Sequence, residues 1–352
     1  MAMIKFDGVG ISAIAACVPK DKIINLEATE YFPPDSVAAV VDKIGVFERR
    51  QADASTCASD LAVAAAEKLF ADNSINPDDV DALIFVSQTP DYRMPATAFP
   101  IQHRLGISKK VIAFDVNLGC SGFLHGLYLA YSLLQNEAIE NVLLLNGETR
   151  TKVYSKKDRR VAFLFGDAAS ATLVNKSGNY GLSYFSIGSD GENSHMVMIP
   201  GGGYRNPSSV ETLKERVVDE NGNIRTDEQG YMMGEDVLGL FMRVMPKDIK
   251  SLIEFSGMDK DIIDFFVIHE GSKYLSSFIK KRLKLPEEKT PSILSKFGNT
   301  SSVSIPLNIV SELRGKLEGN KELLMTVLGV GMTWASAIIQ ADNLNVSELV
   351  EL

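Results

Sequence analysis

Three residues of this chain, Cys120, His269 and Asn299, have the types and settings that could together do chemistry. Cys120 lies in Asp115-Val116-Asn117-Leu118-Gly119-Cys120-Ser121-Gly122-Phe123, where an apolar strand runs into a Gly-flanked turn and then a helix. A thiol at the first turn of a helix feels the positive end of the macrodipole and unpaired N–H groups, which favours thiolate over thiol. Read alone, the motif also fits a buried structural cysteine, the common fate of a free thiol. His269 directly follows the apolar run Phe265-Phe266-Val267-Ile268. It therefore emerges at the C-terminal end of a strand, where open α/β sheets place their ligands. Asn299 stands in Phe297-Gly298-Asn299-Thr300-Ser301-Ser302, ahead of a helix that starts near Ser304. Singly, these two fit a satisfied core histidine and a helix cap. Together with Cys120 they make a set for acyl transfer, in which a nucleophile takes the acyl group and two donors stabilise an oxyanion.

The elements that must position this set alternate in a βαβ rhythm. Val9–Val18 reads as a strand ending at Pro19, and Leu26–Ile44 as a helix in two pieces broken at Pro33-Pro34. After a loop from Gly45 to Ala54, helix Ser59–Ala71 leads to the buried strand Ala82–Ser87, then helix Thr97–Leu105. Val111–Val116 delivers Cys120, and Phe123, Leu124, Leu127, Ala130, Tyr131 and Leu134 give the next helix its buried face. Strands at Val142–Asn146 and within Phe165–Val174 close the first half, and Tyr184–Gly188 opens a second series. Asp190–Gly234, rich in Gly, Asn, Pro and charge, is expected to shape a pocket mouth without building a core. Beyond it come helix Val237–Leu252 with a kink or break at Pro246, strand Phe265–Ile268, and helices Lys273–Leu283 and Ser304–Leu317. Two closing strands, Leu323–Leu328 and Thr333–Ile339, flank Gly329-Val330-Gly331. The echo between the two series predicts an internal duplication without a sequence repeat.

Composition narrows the classes. A chain of 352 residues with 45% hydrophobic content can bury a large core, and a net charge of −9 argues against non-specific nucleic-acid binding. Three cysteines, Cys17, Cys57 and Cys120, cannot all pair and lack metal-ligand spacing, which favours a reducing compartment over a disulfide framework. Met1–Asp7 has no basic segment followed by a long apolar run, and no apolar stretch reaches a membrane span, so the expected location is the cytoplasm.

Four blocks carry a family resemblance: Asn117-Leu118-Gly119-Cys120-Ser121-Gly122-Phe123, Val267-Ile268-His269-Glu270, Phe297-Gly298-Asn299-Thr300-Ser301-Ser302-Val303-Ser304-Ile305-Pro306 and Gly329-Val330-Gly331-Met332-Thr333-Trp334-Ala335. In order and approximate spacing they resemble β-ketoacyl-acyl-carrier-protein synthase III, of the thiolase superfamily. The resemblance implies an α/β, thiolase-like, five-layered αβαβα fold made of two similar halves. Residues 1–178 would carry the nucleophile, and residues 179–352 the His and Asn. It implies a homodimer that needs no metal and no cofactor, with CoA or carrier-protein phosphopantetheine thioesters as substrates. Cys120 would hold the acyl group, received from acyl-CoA or an acyl-carrier protein. His269 and Asn299 would stabilise the enolate formed when a malonyl-carrier protein loses CO2, and the enolate would attack the acyl-Cys to give a 3-oxoacyl thioester. Backbone N–H groups of Cys120 and of the Val330-Gly331 turn would form the oxyanion hole. Met94, Phe123, Gly234 and Ser272 would line the substrate path, and Lys280, Lys281 and Arg282 would form the basic patch for an acidic carrier. Pro90–Pro95 corresponds to the loop that reaches into the partner's acyl pocket. No aromatic stands near Ala39, where relatives stack the CoA adenine, so a carrier-bound donor is expected to be preferred.

Other readings are a type III polyketide synthase, a papain-like cysteine hydrolase, and a non-catalytic carrier-binding subunit. The first would end in Gly-Phe-Gly-Pro-Gly where this chain has Gly329-Val330-Gly331-Met332-Thr333-Trp334. A hydrolase would have an aromatic directly after Cys120, and a silent subunit would be expected to have lost a reactive residue.

Overall fold

The computed structural model describes residues 1–177 and 179–352, so the half boundary expected at residue 178 falls on the one residue outside the described ones. The first half runs β1 (Ala2–Phe6), β2 (Val9–Val18), α1 (Pro34–Ile44), α2 (Ala58–Asn73), β3 (Ala82–Val86), α3 (Ala98–Arg104), β4 (Ile112–Val116), α4 (Gly122–Leu133), β5 (Asn141–Glu148) and β6 (Ala168–Lys176). The second runs β7 (Ser183–Ser189), α5 (Gly234–Ser256), β8 (Phe265–Ile268), α6 (Lys273–Leu283), α7 (Ser304–Glu312), β9 (Asn320–Gly329) and β10 (Thr333–Asp342).

Period-two alternation builds the layers. Along β3, Leu83 and Phe85 pack outward with Leu61 and Leu69 of α2 and Ile101 of α3. Ile84 and Val86, the intervening residues, face inward, where α4 and α7 pack between the two sheets with Phe185 of β7 and Val327 of β9. On the far side, Phe266, Ile268, Leu324 and Ile338 carry α5 and α6. The result is five layers, αβαβα. In the larger sheet the order is Asn345–Val346, β2, β6, β5, β3, β4, with β3 parallel to both β4 and β5. The smaller sheet is ordered β1, β7, β10, β9, β8, with only β8 and β9 parallel.

The chain ends change places. β1 pairs with β7 in the second half's sheet, while Asn345–Val346 and Val350–Glu351 pair with β2 in the first half's. Strand pairing of that range has no local signature in the sequence.

Three expected helices differ. The first piece of Leu26–Ile44 is a single turn, Asn25–Glu27, and α1 begins at Pro34, because a proline is tolerated at a helix start but not inside. Ser304–Leu317 stops at Glu312. Pro246 does not end α5, whose 23 residues run through it, since Leu240, Phe241, Met245, Ile249 and Leu252 pin both sides of the proline to the sheet. The Asp190–Gly234 stretch forms two short ladders, Val197–Met198 with Tyr231–Met232 and Arg216–Val217 with Ile224–Arg225.

Candidate active site

Cys120 occupies the turn between β4 and α4, closed by the Gly122 N–H donating to the Gly119 carbonyl at 2.7 Å. All six apolar residues expected to bury the helix face are buried, which fixes where the turn sits. The β9–β10 turn closes on it from the other half. A Cβ on Gly329 would lie 2.9 Å from the Cβ of Cys120 and from the Ser121 nitrogen, so only glycine permits this approach. Across the same contact the Ser121 and Thr333 hydroxyls are 2.6 Å apart, and the Thr333 hydroxyl donates to the Val330 carbonyl at 2.9 Å. Val330 and Gly331 are thereby fastened beside the thiol.

The expected bias toward thiolate is not the net result. Burial pushes the Cys120 thiol above its ordinary pKa, while the Arg150 guanidinium and the Ser301 hydroxyl pull it back. Helix α4 starts two residues beyond Cys120, so the dipole acts from a distance and desolvation dominates.

Beside the cysteine lies a charged group that the sequence reading missed. Glu148, the last residue of β5, is fully buried. It accepts from the Gln88 N–H at 3.3 and 3.4 Å, the Thr89 hydroxyl at 3.2 Å and the Ser301 hydroxyl at 3.3 Å. Burial raises its pKa to about 7. Two residues on, Arg150 is 4% exposed and donates to the Tyr154 hydroxyl at 2.6 Å and to Gln88 Oε1 at 3.3 Å, with Nε unpaired. Its guanidinium also lies over the stacked rings of Tyr154 and Phe165. The insertion packs here. Tyr154 lies so close to Gly230 that a Cβ there would meet its ring at 2.6 Å, and the Gly230 N–H donates to the Val153 carbonyl at 3.0 Å. A signal existed: Glu148-Thr149-Arg150 follows a parallel strand's apolar run, the same feature that singled out His269.

His269 and Asn299 approach from the second half. The His269 N–H donates to the Thr326 carbonyl at 2.9 Å on β9, three residues before Gly329. Its Nδ1 is paired with the Ser304 hydroxyl at the start of α7, leaving Nε2 for a ligand. Burial lowers the imidazole pKa to about 4, so it is neutral at pH 7. The pair is compatible with Ser304 donating to Nδ1, the arrangement that puts the ring proton on Nε2, where an oxyanion requires it. Asn299 is held by its backbone: its N–H donates to Leu164 at 2.9 Å, and its carbonyl accepts from Gly166 at 3.2 Å. Its Oδ1 accepts from the Ser301 N–H at 2.9 Å, which directs Nδ2 away from that bond. Glu270 is buried and accepts from the Ser292 hydroxyl and the Ile293 and Leu294 N–H groups at 2.7–3.1 Å, tying the His269 strand to the segment that carries Asn299.

The remaining positions are dispersed. Phe123 is buried in the central layer, Gly234 is exposed at the start of α5, and Met94 is 74% exposed. Ser272 caps α6, accepting from the Leu275 N–H. Lys280 is turned to Glu287 at 2.7 Å, so the exposed cations of that helix end are Lys281, Arg282 and Lys284. Among the described residues no group of three His, Cys, Asp or Glu side chains is placed to hold a metal.

Two similar halves sharing a central helical layer, with a cysteine turn from one and His and Asn from the other, define a thiolase-type acyltransferase. The profile described as 3-oxoacyl-[acyl-carrier-protein (ACP)] synthase III matches residues 114–191, and its C-terminal counterpart matches residues 253–341. A β-ketoacyl-[acyl-carrier-protein] synthase III of Caldanaerobacter subterraneus subsp. tengcongensis is 32% identical over 333 residues, 94% of this chain and 97% of that protein. The crystal structure of a 3-oxoacyl-(acyl-carrier protein) synthase from Burkholderia xenovorans LB400 superimposes with a TM-score of 0.93 at 37% identity, covering 100% of this chain and 99% of the other. The synthase III from Thermus thermophilus gives a TM-score of 0.81 at 30% identity, over 94% and 98%. The chain belongs to the 3-oxoacyl-[acyl-carrier-protein] synthase III family, and it is a condensing acyltransferase.

Proposed function

We propose that the chain transfers an acyl group from a CoA or carrier-protein thioester to Cys120, then condenses it with a malonyl-carrier protein to give a 3-oxoacyl thioester. One observation carries the reading: a Cβ on Gly329 would lie 2.9 Å from the Cβ of Cys120, and Ser301 Oγ lies 3.5 Å from where a Cβ on Gly119 would be, so the strand partnering His269 and the loop of Asn299 both close on the cysteine turn. Cys120 attacks the thioester carbonyl, and N–H groups of Cys120 and of Val330 or Gly331 receive the oxyanion. The neutral Nε2–H of His269 and the Nδ2 of Asn299 stabilise the enolate left by decarboxylation. Their neutrality serves this step, because neither neutralises the malonyl carboxylate before it leaves.

In this reading residues 1–178 supply the nucleophile and residues 179–352 the enolate donors. The working unit is a homodimer, supported by the exposed apolar group Tyr92, Met94 and Phe99 on and beside the loop that holds Met94. Lys281 and Arg282 receive the acidic carrier, and the reducing cytoplasm suits a nucleophile that remains a free thiol. The test is intact mass spectrometry after incubation with acyl-CoA or acyl-carrier protein, followed by addition of malonyl-carrier protein. An acyl adduct on Cys120 that is discharged as a 3-oxoacyl product is expected. No adduct from either donor overturns the reading.

A further inference from the structure

We propose that Ser301 and Glu148 form a proton relay for Cys120, with Ser301 accepting the thiol proton and passing its own hydroxyl proton to the Glu148 carboxylate. The proposal rests on the acyl-transfer role of Cys120 given above and adds the destination of the proton.

The geometry is a chain of three groups, the half-buried Cys120 followed by the fully buried Ser301 and Glu148. Ser301, with no exposed surface, places its Oγ 3.5 Å from where a Cβ on Gly119, the neighbour of Cys120, would lie, acts on the thiol by lowering its pKa, and donates to Glu148 Oε1 at 3.3 Å. That direction of donation leaves the serine lone pairs free to accept from S–H. Its backbone adds an independent observation. Ser301 has φ of 54°, in the left-handed region that side chains other than glycine seldom adopt, and the Asn299 side chain holds it there through the Ser301 N–H. Strained conformations of this kind persist where the surroundings impose them, and they cluster at active sites. Here the strain places one hydroxyl between a nucleophile and a carboxylate.

Glu148 is suited to receive the proton. Its oxygens are held by the neutral donors Gln88, Thr89 and Ser301. The titratable and charged groups that face it are Arg150 and Tyr154, farther along the same segment, and Cys120 on the turn before α4. With a pKa of about 7, it exchanges a proton in the range where a general base works best. His269, with its pKa near 4 and its Nδ1 taken by Ser304, is a poor base at that pH.

The step balances. The S–H bond breaks and its electron pair forms the S–C bond to the thioester carbonyl carbon. The proton goes to Ser301 Oγ, whose own proton goes to Glu148. When the tetrahedral adduct collapses, the C–S bond to the donor breaks with its electron pair. The departing thiolate then takes a proton back along the same path, so Glu148 is again a carboxylate.

The experiment is single-turnover acylation, read by intact mass, from pH 5.5 to 9 in wild type, Glu148→Gln, Glu148→Asp and Ser301→Gly. The wild-type rate is expected to rise tenfold per pH unit and level off near pH 7. Glu148→Gln should be about 10²-fold slower at pH 7 and lack that break, whereas Glu148→Asp should keep one. Ser301→Gly suits the positive φ, so it should melt no lower than wild type yet acylate at least about tenfold more slowly. A merely structural Glu148 would lower the melting temperature and leave the break in place, which overturns the relay. So does a wild-type rate in Ser301→Gly, which decides the matter alone if Glu148→Gln does not fold. A wild type that forms no adduct fails differently, removing the acyl-transfer reading and the relay together.

Discussion

The two sides of the site are built in opposite chemical styles. Around Cys120 the first half supplies a buried carboxylate, a buried guanidinium and a phenol, from Glu148, Arg150 and Tyr154. Around His269 and Asn299 stand hydroxyls and backbone groups, from Ser304, Ser301 and Thr326 of the second half and from Leu164 and Gly166 of the first. The charged side suits a step in which a proton leaves sulfur. The neutral side suits a step in which negative charge appears on oxygen and must be met by donors that carry no charge beforehand. In the proposed function the two similar halves would thus be furnished differently, one for proton and thiolate management and one for an enolate.

The strongest way to break this division is to remove the nucleophile. Cys120→Ser is expected to abolish the acyl adduct, since a serine hydroxyl at this position has no comparable acidity. An adduct persisting on Cys17 or Cys57, located by peptide mapping, would move the chemistry away from the charged side. Next in size is the loss of the neutral donors. His269→Ala and Asn299→Ala should each lower condensation on the order of 10²–10³-fold while keeping measurable Cys120 acylation. Separate assays of adduct formation and of CO2 release from a malonyl thioester check this, and equal loss of both half-reactions would erase the contrast.

A smaller effect tests the neutrality of the second side by stability. His269 has a folded pKa of about 4 against 6.5 unperturbed. The unfolded chain binds the extra proton first, so this contribution is complete above pH 6.5 and drains away as the pH falls toward 4. At pH 5 the loss is about 2 kcal/mol. Urea melts at pH 7 and 5 should show a smaller acid penalty in His269→Gln than in wild type, and an equal penalty would mean that the ring is charged when folded. Smallest is the surface effect. Lys281→Ala/Arg282→Ala should lower kcat/KM for a carrier-bound donor a few-fold at low salt and leave a CoA donor unchanged, with the difference vanishing as salt rises. Lys280→Ala should do less than either, because Glu287 already occupies that ammonium.

Much of this was legible in residue order. The strands that carry Cys120 and His269 are short apolar runs bounded by turn residues, and both fall where expected, with β8 and α6 matching residue for residue. Asn299 was legible from its Gly-Asn-Thr-Ser setting. Glu148 and Arg150 follow a strand's apolar run as His269 does, but acids and bases in that position ordinarily mark a solvated loop, so the run alone did not single them out. Only the pairing of β5 between β3 and β6, with the Ser301 turn laid across its end, buries them. Cys120 shows the same limit from the other side, because a helix start is visible in sequence whereas the desolvation that outweighs it depends on the tertiary packing around the turn, where Gly329 of the other half closes in. Lys280 was read as part of a carrier-protein patch and Ser272 as lining the substrate path; in the structure Lys280 pairs with Glu287 and Ser272 caps α6, contacts that residue order does not show.

The exchange of chain ends between the sheets bears on how the protein can be made. β2 is flanked on its outer edge by Asn345–Val346 and Val350–Glu351, and Arg50 and Glu351 close the seam with an ion pair at 2.7 Å. Contacts spanning nearly the whole sequence close late and slowly, because the loop they shut is the chain itself. During synthesis the first half therefore emerges with the outer edge of β2 open and with β1 still awaiting β7. That intermediate has an exposed strand edge, the feature that invites wrong pairing with another chain. Expression of residues 1–178 alone would hold the molecule at that stage, so the two halves are a single unit for folding.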